Sequence, residues 1–202
     1  MTISVIVATY GGPEWRTIAE ERAFPSTVGQ GAHEVVAAHQ PDGTIATCRN
    51  HGAASATGEW LCFLDADDEL APGYVGAMRR AAERHSTPEA LLTPAVQQIR
   101  KGRPGKPFFF PECSLTTGNW LIIGTLIRRE FFHTIGGFRD HPHGLEDWNL
   151  WARAVRAGAS IVKVRDAVYR AYWNQKSKHH VLARDRQRYM AAYEAARVDA
   201  WG

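Results

Sequence analysis

Cysteine is scarce in this chain. Three thiols, Cys48, Cys62 and Cys113, are scattered through 202 residues without the paired spacing of a metal ribbon. A disulfide-stapled scaffold is thereby excluded, and an odd, sparse count suits a reducing compartment. Long apolar runs are also missing. The longest, residues 120–127, is interrupted by Gly124 and Thr125 and falls far short of the ~20 residues that cross a bilayer. Met1 leads straight into a strand pattern, so a cytoplasmic protein with no leader and no transmembrane segment is expected. There is no G-x-x-x-x-G-K phosphate loop. Strong charge of one sign is absent too: a net +3 does not argue for nucleic acid, and none is expected as a partner. The cations are nonetheless uneven. Residues 163–188 hold eight Lys or Arg against two Asp, and residues 97–111 hold Arg100, Lys101, Arg103 and Lys106 with no acid. These are either solvated faces or electropositive walls around an anionic ligand.

What the chain does have is alternation. ISVIVAT (3–9) is a β-rich run ending at a Tyr-Gly-Gly-Pro turn, and residues 14–24 read as a helix that stops before Pro25. Residues 33–39 read as a second strand, 44–56 as a helix ending near Gly58, and 60–64 as a third, fully apolar strand. A helix from Pro72 to about residue 85 and a strand over 90–99 follow. This β-α-β order with apolar strands predicts an α/β fold built on a doubly wound, mostly parallel sheet. The second half predicts a long loop (100–118), a strand (120–127), a short helix (128–135) and an amphipathic helix (146–158). Two short strands, SIVKV and AVYRAYW, and a last helix over 179–200 complete it. No repeat or linker divides the chain, so residues 1–202 are expected to form one domain: a nucleotide-binding half (1–99), an acceptor half (100–178) and a C-terminal helix (179–202).

The third strand ends in LDADDEL. It delivers Asp65, Asp67 and Asp68 to the carboxyl end of the sheet, where open α/β sheets bind ligands. Clustered carboxylates repel, and a solvated turn, a shared proton or a cation relieves them. Oxygen donors of this kind suit a hard divalent ion, Mn²⁺ or Mg²⁺. An EF-hand loop is excluded because Leu70 stands where such a loop needs glycine. A phosphatase with an aspartyl nucleophile competes, although Glu69 follows the Asp-x-Asp here instead of Thr or Val.

ISVIVATY, RNHGAASATGEWLCFLDADDEL, RREFFHTIGGF and GLEDWNLWARAVRAG, in that order, resemble the family-2 glycosyltransferases of the GT-A fold, from residue 3 to about 172. The resemblance implies inverting transfer of a sugar from a nucleotide-diphosphate sugar to a glycan, lipid-linked or protein acceptor. It places Thr9, Tyr10 and Arg49 near the nucleotide, Asp65 near the ribose or the metal, and Asp67 on the metal. Asp147 becomes the general base, with Glu146 beside it orienting acceptor hydroxyls. Gly124 and Thr125 fall in the acceptor half. Two positions depart from the pattern. His39, with Asp42 three residues on, stands where relatives carry a base-contacting Asp. Tyr172 stands where a metal- or phosphate-contacting His is usual, with His179 and His180 as nearby substitutes. These departures also fit a protein that keeps the fold and binds a nucleotide sugar without turning it over.

The chemistry asks for a cation near a leaving diphosphate, helped by Lys176 or Lys178, and for a carboxylate that accepts the acceptor's proton. Asp147, at a helix start, is expected to be ionised; equally, Glu146 and Asp147 could be no more than an acidic first turn complementing the helix dipole. Trp120 and Trp148 could stack on an acceptor sugar or pack the core.

Overall fold

The computed structural model describes residues 1–85, 87–141, 144–173 and 185–201. Its strands are β1 (Ile3–Tyr10), β2 (Glu34–Gln40), β3 (Trp60–Asp65), β4 (Glu69–Leu70), β5 (Ala90–Arg100), β6 (Arg103–Pro104), β7 (Leu126–Arg128) and β8 (Ser160–Tyr172). Its helices are α1 (Glu14–Glu21), α2 (Ala23–Thr27), α3 (Ile45–Ser55), α4 (Tyr74–Arg84), α5 (Arg129–Thr134), α6 (Glu146–Arg156) and α7 (Arg186–Trp201). The strands join in the order β2-β1-β3-β7-β5-β8-β4, with β6 hairpinned onto β5.

The apolar runs of β1 and β3 are buried along almost their whole length because helices cover both faces. They pair in parallel with each other, and β1 pairs in parallel with β2. Helix α3 closes on this unit through a glycine. A Cβ on Gly52 would strike the side chain of Ile6, so only glycine lets the helix approach β1 so closely. Thr44 caps α3 in a reciprocal box: Thr47 N–H donates to Thr44 Oγ1 at 3.2 Å, and Thr44 N–H to Thr47 Oγ1 at 2.8 Å. Between β3 and β5 lies β7, antiparallel to both. Phe63 meets Phe138 edge-on at 4.9 Å and Phe132 at 5.4 Å, fastening α5 and the turn after it to the underside of β3.

Four expectations are corrected. Pro25 lies inside α2, at a first-turn position where its missing N–H leaves nothing unpaired. Residues 120–125 are not strand: they are mostly buried but irregular, and only Leu126–Arg128 joins the ladder. A turn closes there, the Thr125 N–H donating to Ile122 O at 3.0 Å, and Gly124 within it passes against the ring of buried Tyr169 where a Cβ would collide. SIVKV and AVYRAYW are one strand, β8, whose register on β5 shifts between Pro94 and Ala95, from Val164 to Val168. Pro94 has no N–H to give the ladder, and the intervening residues bulge there. Within the 100–118 segment, β6 and a bridge between Val96 and Phe108 give order to what reads as loop. Of the terminal helix, the described part is α7; Ala192, Ala196 and Ala200 face inward at helical spacing, and Tyr193 stacks on Trp148 at 4.6 Å.

Candidate active site

The carboxyl ends of β1 and β2 bring Thr9 opposite His39. Thr9 Oγ1 and His39 Nδ1 lie 2.9 Å apart, so the imidazole is held at one nitrogen. Asp42 is exposed in the following turn and makes no bond to this pair, while Tyr10 is partly buried at the end of β1.

Arg49 is the hub. It extends from α3 into the protein and is 4% exposed. Its Nη2 donates to Asp65 Oδ1 at 2.6 Å and its Nη1 to Glu146 Oε1 at 2.8 Å. Burial works against its charge, but Asp65 and Glu146 outweigh that and hold the guanidinium above its usual range. The neighbouring Asn50 donates to Phe138 O at 2.8 Å and accepts from Phe138 N–H at 2.9 Å, which fixes the chain running toward α6.

In the acidic turn the side chains alternate. Asp65, Asp67 and Glu69 are partly exposed, and Asp68 is buried. Asp68 Oδ1 accepts the backbone N–H of Tyr172 at 2.8 Å, and its carboxyl also bonds the Tyr169 hydroxyl. Burial beside Asp65 and Asp67 pushes it well above the ordinary carboxylate range. It is a structural acid, which leaves Asp65 and Asp67 as the partly exposed aspartates of the turn. Glu69 Oε1 accepts the Tyr172 hydroxyl at 2.8 Å. The Arg22 guanidinium lies 3.9 Å above the Tyr172 ring and donates to Asp67 O at 2.7 Å. Tyr172, standing in place of histidine, therefore braces the turn from behind.

Asp67 is left exposed to its neighbours' charge. Burial, then Asp65, raises its carboxyl above the usual value, and no side chain among the described residues donates a hydrogen bond to it. Asp67, beside an Asp65 already held by Arg49, offers oxygen donors of the kind that suit a hard divalent cation. Among the described residues no group of three or more His, Cys, Asp or Glu is placed to hold a metal unaided. His179, His180, Lys176 and Lys178 lie outside the described residues.

Helix α6 begins without a side-chain cap. Leu145, at φ 71°, takes the left-handed conformation that branched side chains resist, and it turns the chain so that Glu146 and Asp147 open the helix toward Arg49. Asn119 Nδ2 donates to Asp147 Oδ2 at 3.1 Å. The helix terminus was expected to favour the ionised form. The Trp148 N–H and Arg49 do pull that way, but burial first and Glu146 second win, raising Asp147 to about 6.

The acceptor residues divide. Trp120 is nearly buried, with Lys163 Nζ 5.3 Å from its ring. Thr125 is fully buried, its hydroxyl donating to Thr93 Oγ1 at 3.0 Å. Trp148 is core: its Nε1 donates to Leu115 O at 2.9 Å. Gly124 O accepts the Tyr74 hydroxyl. Asn119 and Tyr169 were not anticipated. A lone Asn in a loop carries no spacing signal, and Tyr169, whose hydroxyl accepts Asp65 N–H at 3.2 Å, reads in sequence as a strand aromatic.

Residues 31–138, more than half of the chain, match Glycosyl transferase family 2. The O-antigen biosynthesis protein RfbC of Myxococcus xanthus is 27% identical over 133 residues, 64% of this chain but only 10% of that protein. Among solved structures, S. aureus TarS 1-349 in complex with UDP superposes with a TM-score of 0.62 at 16% identity, covering 98% of this chain and 65% of that one. The same fragment in complex with UDP-GlcNAc gives 0.60 at 17%, covering 88% and 60%. The chain thus spans about a tenth of its curated relative and under two thirds of the TarS fragment. With the family matched over residues 31–138 and the chain superposing on TarS, the chain belongs to glycosyl transferase family 2 and carries the GT-A fold.

Proposed function

We propose that this chain transfers a sugar from a nucleoside-diphosphate sugar to an acceptor hydroxyl with inversion, using Asp147 as general base. One observation carries the reading: Arg49 draws Asp65, at the end of β3, and Glu146, at the start of α6, to the same guanidinium. The donor-side and acceptor-side carboxylates thereby line one site at the carboxyl end of the sheet, where GT-A proteins of this family bind nucleotide sugars. The Thr9–His39 pair receives the base and Asp65 the ribose. Relatives solved with UDP and UDP-GlcNAc make a UDP-sugar the first donor to try.

Asp65 and Asp67 would hold Mn²⁺ or Mg²⁺. When bound, the ion supplies positive charge to the leaving diphosphate. The protein's own step is a single displacement. Asp147 takes the proton from the acceptor hydroxyl as its oxygen forms the new bond to the anomeric carbon. The bond to the diphosphate oxygen breaks on the opposite face, and its electron pair leaves with the nucleotide. Asn119 fixes one Asp147 oxygen, and Glu146, held by Arg49, orients the acceptor.

Release of UDP from UDP-sugars, with Mn²⁺ or with chelator, tests this. Metal-dependent UDP release that disappears in Asp67→Asn, with an unchanged melting temperature, is expected. Donor binding without any turnover would instead identify a silent binding protein, and release of inorganic phosphate a phosphatase.

A further inference from the structure

The cations of the β5–β6 hairpin are not absorbed by the transfer site. Arg100, Lys101, Arg103 and Lys106 sit in a stretch, residues 100–108, that is exposed throughout, and none of the four enters an ion pair among the described residues. The tip is tight: Lys101 at φ 52° and Gly102 at φ 74° turn the chain back. Phe108, 37% exposed, flanks the hairpin on one side through its bridge to Val96. Trp173, 38% exposed, flanks it on the other, its N–H donating to Ile99 O at 2.9 Å and its ring 6.0 Å from the Arg100 guanidinium.

Uncompensated cations on a projecting tip, bordered by two part-exposed aromatics, make a surface of defined chemistry. We infer that this hairpin docks the protein on an anionic lipid bilayer. The cations attract acidic headgroups, and the rings of Trp173 and Phe108 settle at headgroup depth. A single-stranded polyanion would ask instead for a groove with successive stacking platforms, which a projecting hairpin does not form. The placement is also informative. Trp173 directly follows Tyr172, whose N–H holds Asp68, so the docking tip and the acidic turn share one end of the sheet. A bilayer engaged there lies beside the mouth of the site.

Sedimentation of the full chain with vesicles tests this without any donor, so its outcome is independent of the transfer reading. Vesicles of phosphatidylcholine containing phosphatidylglycerol should carry the protein down, and phosphatidylcholine alone should not. Each cation near an anionic surface is worth about a fivefold change in partition. Lys101→Ser, Arg103→Ser and Lys106→Ser combined should therefore weaken binding by roughly a hundredfold, with melting temperature and UDP binding unchanged. Trp173→Ala should remove the part of the binding that survives high salt. Equal binding to neutral vesicles, or an unaltered triple variant, overturns the inference. So does a preference for an oligonucleotide over acidic vesicles at the same salt, which would assign the hairpin to nucleic acid.

Discussion

Arg49 Nη1 and Glu146 Oε1 meet at 2.8 Å although 97 residues separate them in the chain. The same guanidinium holds Asp65 at 2.6 Å, so one buried cation ties the end of β3 to the start of α6. Removing it leaves the largely buried Glu146 and the partly exposed Asp65 without their partner. Arg49→Met is expected to cost about 3–5 kcal/mol in denaturant unfolding. Arg49→Lys should recover only part of this, because an ammonium lacks the fork that reaches both acids. A loss below about 1 kcal/mol for Arg49→Met would show that the pair contributes no more than an exposed one.

Asp147 should set the acidic limb of the rate profile. Its carboxyl is raised to about 6, so kcat/KM is expected to rise with pH through that value and level above it. Arg49 lowers this value, so in Arg49→Lys, where the cation sits less favourably, the limb should move upward. Asp147→Asn should lose about 10²–10⁴ in rate while retaining UDP affinity. A near-normal rate with a lowered melting temperature would reduce Asp147 to a helix-start acid.

Glu34 offers a stability test far from the site. Its Oε1 accepts Ser4 Oγ at 2.6 Å, Thr57 N–H at 2.6 Å and Thr57 Oγ1 at 2.9 Å. Led by the Ser4 bond, these hold its carboxyl down at about 2 from an ordinary 4.5. A depressed carboxyl stabilises the fold above the unfolded value, and that contribution drains away as pH falls from about 4.5 to about 2. Glu34→Gln should cost about 1 kcal/mol at neutral pH, the modest end for bonds to a charged acceptor in a partly solvated place. Thermal melts at pH 7, 4 and 3 should show wild type and variant converging with acid; a constant gap would contradict the assignment.

Gly124→Ala should destabilise by about 1–3 kcal/mol, because the added methyl would overlap the ring of Tyr169, which is 1% exposed. The ring cannot retreat without pulling its hydroxyl from Asp65 N–H and Asp68. The variant should therefore also weaken UDP binding. Lower stability with unchanged UDP affinity would separate Tyr169 from the site.

Much of this was legible in the sequence. The apolar runs of β1 and β3 and the helical spacing of α3 and α6 are local signals, and each stands where its pattern placed it. The acidic turn could be read as a cluster but not as a geometry. Whether Asp68 points inward depends on the N–H of Tyr172, over a hundred residues away, and no periodicity records that. The apolar run at 120–125 looks like strand because burial and strand leave the same composition; the turn closed by the Thr125 N–H on Ile122 O decides otherwise. SIVKV and AVYRAYW read as two short strands, whereas Pro94 on the neighbouring strand makes the break between them a bulge. The Arg49 bridge was beyond reach for the same reason: it is a long-range pairing of two motifs that each carry only their own spacing.

Strand β7 has only three residues, yet it bonds to β3 on one side and β5 on the other, so hydrogen-bonded sheet runs without interruption from β2 to β4. Among the described residues the ladder offers no seam along which two lobes could swing apart. On the proposed reading, substrate entry and product departure then fall to segments outside the ladder, such as the 105–119 stretch. Turnover limited by product escape should respond to glycine or proline changes in those segments, whereas stiffening the sheet should leave it untouched.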